Sequence, residues 1–287
     1  MPRPQAVLRV IGSDRAGLVA DVANLLFRLG GNILHADDHI DFEAGLFFQR
    51  VEFTLQGELT PSDRERIGAQ IGQTCDQWKM RWDLRWHGAP RRVALLTSKH
   101  AHCTLDLLAR HRAGELACEI PIVISNHPDL EEEVTRRGYK YVHEPMAKGE
   151  KRDQEQRLQR RLEEEKIDLV VLARYMQILS TDFVAPWKER ILNIHHSFLP
   201  AFAGAEPYKQ AYRRGVKLIG ATSHFVTADL DEGPIVWQEV TRVSHSDSVD
   251  DLVRKGRDLE RVVLANAVRC FIEDRIIAYG NKTVVFD

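Results

Sequence analysis

The chain has 287 residues and a nearly balanced charge, with 40 lysines and arginines against 42 aspartates and glutamates. This balance argues against nucleic acid as the main partner, because phosphate binding requires a concentrated excess of basic residues. The first residues carry no apolar signal core, and no run reaches the roughly 20 apolar residues that span a membrane. We therefore expect a soluble, cytoplasmic protein with no membrane partner and with length for one large domain or two ordinary ones.

The first 87 residues predict the element order βαββαβ, which is a ferredoxin-like arrangement. Apolar residues recur at helical spacing from Leu18 to Leu29 and end at two glycines. Thr60 and Pro61 are typical of a helix cap and a first helical residue. The strands are predicted at residues 6–11, 33–39, 46–55 and 80–86.

The breaker cluster Gly88-Ala89-Pro90 separates this part from a different pattern, so we divide the chain into domains 1–87 and 88–287. After the cluster, helix-like stretches alternate with short apolar runs at residues 93–97, 122–125, 169–173 and 192–194. This alternation predicts an α/β domain with a doubly wound, mostly parallel sheet. Ligands of such sheets bind at the carboxyl ends of the strands.

The rest of the second part adds two helices and a strand to this prediction. The densely charged stretch 148–166 favours a solvated helix face over a binding surface for an acidic partner. The apolar spacing in 251–276 predicts a long amphipathic helix, and 282–286 a final edge strand.

The cysteines and a histidine pair bear on metal binding. No CxxC pair occurs, which fits a reducing compartment better than disulfides or a zinc site. His100 and His102 stand two residues apart, but no carboxylate or cysteine pair accompanies them at ligand spacing. We predict no metal, scattered unpaired cysteines at Cys75, Cys103, Cys118 and Cys270, and an unreactive thiol at Cys103.

The densest chemical signal is the run Asn193-Ile194-His195, followed later by Asp229-Leu230-Asp231-Glu232-Gly233. Asn193 and His195 alternate at the end of an apolar run, so on a strand their side chains leave one face. An amide can stabilise an oxyanion, an imidazole can move protons, and the carboxylate of Asp231 can orient the imidazole or a water. The three groups together suit acyl chemistry.

These segments resemble the active site of the enzymes that handle the formyl group of 10-formyltetrahydrofolate, and among them the formyltetrahydrofolate deformylases. The likeness extends to 172–180 and 198–202 and covers essentially the whole chain. Asp14-Arg15-Ala16-Gly17-Leu18 and Gly31-Asn32-Ile33 make the first part similar to an ACT domain, a module that commonly binds amino acids between paired copies.

The resemblance implies hydrolysis of 10-formyltetrahydrofolate, as substrate and without a cofactor, to tetrahydrofolate and formate. That reaction supplies formate for purine biosynthesis and balances one-carbon folate pools. It implies Asn193, His195 and Asp231 as catalytic residues, and an amino-acid effector at Asp14, Gly17 and Asn32 of a homo-oligomer. The implied substrate-binding residues are Tyr175, Gln177, Ile178, Leu179, Gly204, Thr222 and His224.

Two other functions remain open from the residues. A formyltransferase would use the same three groups but must also bind an amine acceptor. Members that formylate a phosphorylated amine carry a glycine-rich phosphate loop after the first strand, whereas here Ser98–Cys103 has no glycine, which disfavours that acceptor class. A folate sensor would bind without needing all three reactive groups. His196 stands where many formyltransferases have proline, and its role stays open.

Overall fold

The computed structural model describes residues 4–145, 149, 151–201 and 207–287. By internal contacts the chain forms two compact units. The first contains the residues up to Ala89, Asp274–Ile277 and Val284–Asp287, and the second contains Pro90–Glu273 and Ala278–Thr283. Within the described ranges, we find no helix that is both long and apolar enough to cross a membrane.

The first unit confirms the predicted ferredoxin-like order. Its four strands form an antiparallel sheet in the order β2-β3-β1-β4, so β2 and β4 are the edges. The Thr60 hydroxyl accepts from the Asp63 amide, and the Asp63 carboxylate accepts from the Thr60 amide, so a capping box starts the second helix as predicted. The elements are β1 (Gln5–Ser13), α1 (Leu18–Arg28), β2 (Asn32–Asp41), β3 (Leu46–Thr54), α2 (Pro61–Gln77) and β4 (Arg81–Trp86).

The second unit confirms the predicted mostly parallel, doubly wound sheet. Its strand order is β11-β10-β9-β8-β5-β6-β7, parallel from β9 to β7 and antiparallel at β10 and β11. The strands are β5 (Arg91–Thr97), β6 (Cys118–Ser125), β7 (Tyr141–His143), β8 (Leu169–Ala173), β9 (Ile191–His195), β10 (Leu218–Phe225) and β11 (Ile235–Arg242). The helices are α3 (His102–Arg112), α4 (Glu131–Arg136), α5 (Lys151–Glu164), α6 (Thr181–Val184), α7 (Pro207–Arg214) and α8 (Val249–Ile272), with a short 3₁₀ turn at Ala185–Trp187.

The end of the chain differs from the sequence prediction. The long helix ends at Ile272 rather than at residue 276, because Asp274 adopts a left-handed conformation with φ 54°. The predicted final edge strand is present as β13 (Lys282–Val285), and it pairs with β12 (Ile276–Tyr279) in a separate two-stranded sheet. Gly280, with φ 53°, makes the turn between them.

The charged stretch 148–166 contains α5, whose outer face is solvated as predicted; residues 148 and 150 lie outside the described residues. The inner face departs from the prediction because Glu155 is buried there. Its carboxylate accepts from the Ser180 amide at 2.8 Å and from the Ser180 hydroxyl. A charge in this stretch therefore anchors the loop that follows β8.

Candidate active site

The carboxyl ends of β8 and β9 border a cavity of about 640 Å³ in the second unit. This is the edge at which parallel sheets bind ligands. Side chains from the β8 end, the β9 end, the loop after β10 and helix α8 line it together. Of the residues predicted for the site, the lining includes Tyr175, Gln177, Ile178, Leu179, Asn193, His195, His224 and Asp231.

The structure brings the three predicted catalytic groups together. Strand β9 carries Asn193 and His195, and the loop after β10 carries Asp231. Asp231 Oδ2 lies 3.2 Å from His195 Nδ1. His195 Nε2 is buried, and no described residue forms a hydrogen bond with it. A carboxylate that holds Nδ1–H leaves the Nε2 lone pair free to accept a proton.

The electrostatics fix the charge of the Asp231 carboxylate. A hydrogen bond from the His195 imidazole, which is the largest cause, holds the pKa of the Asp231 carboxyl well below its usual value of 3.8. Asp231 is therefore ionised at neutral pH, and it favours a positive charge on His195 as a proton arrives. This arrangement suits a proton-transfer imidazole.

The loop that bears Asp231 depends on a close backbone approach. Asp231 has φ 57°, a conformation that aspartate tolerates better than most residues. A Cβ on Gly233 would collide with the carbonyl of Phe225, so only glycine lets the loop cross the end of β10 there. This close packing explains why glycine follows Asp231 and Glu232 in the motif.

His224 positions the amide of Asn193. The two residues are opposite each other in the β9–β10 register. His224 Nδ1 lies 2.9 Å from the Phe225 carbonyl oxygen, so Nδ1 carries the proton and Nε2 accepts from Asn193 Nδ2 at 3.2 Å. The amide group is held in one orientation, and its second N–H remains available for a ligand.

The predicted folate-facing loop is fixed at both ends. The Ser98 hydroxyl accepts from the Met176 amide at 3.2 Å, and Glu155 holds Ser180. Between these anchors, Met176 and Ile178 are 55% and 62% exposed, which is high for apolar side chains. Tyr175 is buried, and burial raises its pKa to about 12, so its phenol is neutral.

Not every predicted binding residue reaches the cavity. The Thr222 side chain is fully buried and is absent from the lining. Its hydroxyl donates to the Ser197 carbonyl and accepts from Leu199 N and Gln238 Nε2, at 2.8, 3.1 and 2.9 Å. Thr222 thus organises the segment after His195 instead of facing a ligand. Gly204 lies outside the described residues.

The residues predicted to hold a regulatory ligand lie in the first unit. Asp14, Gly17 and Asn32 are all exposed. Gly17 has φ 87° and directly precedes α1, while Asn32 begins the edge strand β2. Asp14 and Gly17 follow β1 at one end of the sheet, whereas Asn32 lies at the other end, where it is opposite Thr54 and Thr54 is opposite Gln5.

Sequence reasoning missed a second set of polar groups in the cavity, which we call the Glu260 cluster: His102, Arg174, Tyr208 and Glu260. Glu260 is 1% exposed. Its carboxylate lies 2.8 Å from His102 Nε2, accepts from the Tyr208 hydroxyl at 2.7 Å, and lies 3.6 Å from Arg174 Nε. A signal was present, because Leu252, Gly256, Glu260 and Leu264 recur every four residues and place a glutamate on the apolar face of α8.

The Glu260 carboxylate is ionised in spite of its burial. Desolvation alone would raise its pKa, but the hydrogen bond from His102 and the charge of Arg174 outweigh it and lower the pKa. Gly256, one turn earlier on α8, gives the Tyr208 ring its space, since a Cβ there would collide with that ring. The cluster is thus a packed, charge-paired group.

Three potential metal donors meet in this region. Ligand atoms of His102, Cys103 and Glu260 lie within 4.8 Å of one another. Burial raises the pKa of the Cys103 thiol well above 9.0, and the guanidinium of Arg174 neutralises Glu260. A protonated thiol and a paired carboxylate are poor ligands, so the donor chemistry does not favour a metal.

Two histidines on the cavity wall, His100 and His196, are not cationic phosphate ligands. Burial and the charge of Arg174 lower the pKa of His196 to about 4. The same two causes lower the pKa of His100, so both imidazoles are neutral at pH 7. Together with the absence of glycine from Ser98–Cys103, this charge state disfavours a phosphorylated acceptor.

The family model described as "Formyl transferase" matches residues 91–268, most of the second unit. The chain is 51% identical to a formyltetrahydrofolate deformylase of Synechocystis, over 98% of each chain, and 44% identical to one of Bacillus subtilis, over 96% of this chain and 91% of that relative. A crystal structure of a formyltetrahydrofolate deformylase from Pseudomonas syringae superposes with a TM-score of 0.94 at 42% identity, covering 100% of this chain and 95% of that one. A glycinamide ribonucleotide transformylase from Symbiobacterium toebii is 34% identical with a TM-score of 0.67, and covers 71% of this chain and 98% of that one.

The fold of the second unit and the constellation at its carboxyl edge define a protein of the formyl transferase family. The similarity to the deformylases extends over nearly the whole chain, whereas the transformylase covers 71% of it. The chain belongs to the formyltetrahydrofolate deformylase family.

Proposed function

We propose that this chain hydrolyses 10-formyltetrahydrofolate to tetrahydrofolate and formate through Asn193, His195 and Asp231. The observation that carries the role assignment is the buried Nε2 of His195, which has no partner while Asp231 holds the other ring nitrogen. A water on Nε2 would be the nucleophile. The reaction needs no cofactor, because the imidazole, carboxylate and amide handle each proton and charge.

The steps follow from this geometry. The water oxygen attacks the formyl carbon and transfers a proton to His195 Nε2, while the new oxyanion accepts from the second N–H of Asn193. Asp231 stabilises the resulting imidazolium. The C–N10 bond then breaks as the imidazolium returns its proton to N10, and formic acid leaves and ionises to formate. The exposed Met176 and Ile178 supply apolar surface for the flat pterin.

Incubation of purified protein with 10-formyltetrahydrofolate alone tests this function. We expect stoichiometric formate and tetrahydrofolate without any amine. A formyltransferase would instead release the formyl group only after an amine acceptor is added, and a folate sensor would bind the substrate without turnover. Either outcome would refute the hydrolase assignment.

We infer that the first unit assembles the enzyme and senses an amino acid. Strand β2 is an unpaired sheet edge within the described residues, and an edge of this kind can pair with a second copy. Asp14 and Gly17 are exposed at one end of the sheet and Asn32 at the other, so antiparallel pairing of two β2 edges would bring Asn32 of one copy toward Asp14 and Gly17 of the other. Together they would offer a carboxylate, open backbone and an amide, which complement an amino acid's ammonium and carboxylate groups. The effector would bind where two copies meet.

The regulatory proposal has its own test. We expect one of the common amino acids to change turnover of the full-length enzyme, and Asp14→Ala or Asn32→Ala to abolish the response while basal turnover persists. Sedimentation should detect a homo-oligomer. Lack of any response would leave the unit with an assembly role only.

We also propose that the enzyme works in the cytoplasm. Cys75, Cys103, Cys118 and Cys270 are buried free thiols, a state that suits a reducing compartment. Fractionation with an antibody against the protein would check this location.

A further inference from the structure

The Glu260 cluster contains an arginine whose hydrogen-bonding capacity is not filled. Arg174 Nε and Nη1 are buried and have no hydrogen-bond partner among the residues that the structure describes. The nearest carboxylate oxygen, Glu260 Oε2, lies 3.6 Å from Nε, which is an ion pair beyond hydrogen-bond length. Buried N–H groups are almost always paired, so unfilled donors on a cavity wall indicate a ligand.

The backbone and the neighbours hold Arg174 in place. Its φ of 62° is uncommon for a residue with a side chain, and it directly follows β8 at the ligand-binding edge of the sheet. The side chain is 10% exposed. His102 and Tyr208 fix the Glu260 carboxylate, and that carboxylate in turn orients the guanidinium.

Arg174 also lines the same cavity as the reacting groups. The rings of His195 and His196 lie 5.3 Å apart, and those of His196 and Tyr208 lie 6.1 Å apart. The charge of Arg174 contributes to the lowered pKa of His196. The neutral His196 imidazole is thus close to the His195 ring and within the electrostatic range of the Arg174 guanidinium, and all three residues line one cavity.

The charges around Arg174 select the class of ligand. The guanidinium attracts an anion, but Glu260 beside it cancels most of that charge, which disfavours a dianion such as phosphate. A planar carboxylate with a single charge matches two guanidinium N–H groups. The proposed reaction generates one such anion at this site, namely formate.

We propose that Arg174 is a product-binding residue that takes up formate after the C–N10 bond breaks. This inference rests on the proposed function, since hydrolysis is what supplies formate. Formate bound to Arg174 would be held away from the N10 amine. The negative charge of Glu260 would keep the affinity of this subsite for formate low. The subsite thus favours departure of the product over its return to N10.

The proposal can be tested without substrate by measuring the affinity of the free enzyme for formate. Saturation transfer from the protein to the formate proton in NMR reports this binding. We expect Arg174→Gln to weaken formate affinity by about tenfold or more, and Arg174→Lys to weaken it less because a charge remains. Arg257→Gln is the matched control, because Arg257 is a second arginine on the same cavity wall but is exposed. It should change formate affinity by less than about twofold, since exposed charges contribute little.

Several outcomes would contradict the proposal. The wild-type protein could fail to bind formate, or Arg174→Gln could leave the formate affinity unchanged. Arg257→Gln could lower the formate affinity as much as Arg174→Gln, or formate, acetate and chloride could bind with equal affinity. If Arg174→Gln fails to fold, unchanged affinity in Arg174→Lys decides against the proposal. Formate binding without hydrolysis would refute the proposed function alone, whereas hydrolysis with formate affinity independent of Arg174 would refute only this inference.

Discussion

The cavity contains two carboxylate–histidine pairs that look alike locally and differ in their surroundings. Asp231 lies 3.2 Å from His195 and is 17% exposed, while Glu260 lies 2.8 Å from His102 and is 1% exposed. The first pair leaves an imidazole nitrogen without a partner. In the second pair, the Glu260 carboxylate forms hydrogen bonds with the His102 imidazole and the Tyr208 phenol and an ion pair with the Arg174 guanidinium.

The difference shows that a carboxylate beside a histidine does not by itself define a proton-transfer site. Reaction requires an open nitrogen on the imidazole and a donor for the developing charge nearby, which His195 and Asn193 provide. A saturated, fully desolvated pair instead stabilises one arrangement of its neighbours. The Glu260 pair, by this reasoning, organises the cavity wall.

The largest expected effect is on turnover. His195→Ala, Asn193→Ala and Asp231→Asn should each lower kcat by about a hundredfold or more with the fold intact, because each removes proton transfer, oxyanion stabilisation or the charge that supports them. Formate release and circular dichroism measure both properties. Glu260→Gln is the comparison variant, and a kcat loss there as large as in Asp231→Asn would remove the distinction between the two pairs.

The next largest effect is on stability. Glu260→Ala should lower the free energy of unfolding by about 3 kcal/mol, because it leaves the buried guanidinium of Arg174 without its counter-charge. Asp231→Ala should cost less, since Asp231 is more exposed. Urea unfolding measures the two values, and a reversed order would contradict the assignment of a structural role to the Glu260 pair.

Thr222 offers a smaller test of structural against binding roles. Thr222→Val leaves Leu199 N and the Ser197 carbonyl without a partner and should destabilise the protein by about 1–3 kcal/mol, with KM for the folate changed by less than about twofold. Ser223→Ala is the matched control, because the neighbouring buried hydroxyl has no partner to lose. A large rise in KM for Thr222→Val, without loss of stability, would show that Thr222 binds substrate and would contradict its structural assignment.

The smallest effect concerns pH. Burial lowers the pKa of His196 to about 4, so between about pH 6.5 and 4 the unfolded chain binds a proton that the folded chain does not. Wild-type stability should therefore fall relative to His196→Gln as the pH drops through this window, and the two should differ by a constant amount above it. Chemical denaturation at pH 5 and pH 8 measures this change, and a pH-independent difference would place His196 in a more polar setting than its burial indicates.

Much of this molecule was predictable because its signals are local. Strand and helix periods gave the ferredoxin-like first unit and the parallel sheet, and the Thr60 cap marked the start of α2. Asn193 and His195 alternate on one strand, so their shared face follows from strand geometry alone. The distance from either residue to Asp231 did not follow, because that residue reaches them through the β9–β10 pairing and the loop that Gly233 permits.

The tertiary structure alone decided which polar groups have partners. The family resemblance implied that Thr222 binds substrate, yet its hydroxyl is engaged by the segment after His195. Arg174 and Glu260 are 86 residues apart in sequence, and their pairing depends on the packing of α8 against the sheet. Sequence determines which chemical groups are present and the period at which they recur; burial and hydrogen-bond saturation are properties of the packed chain, and they decide which of those groups can react.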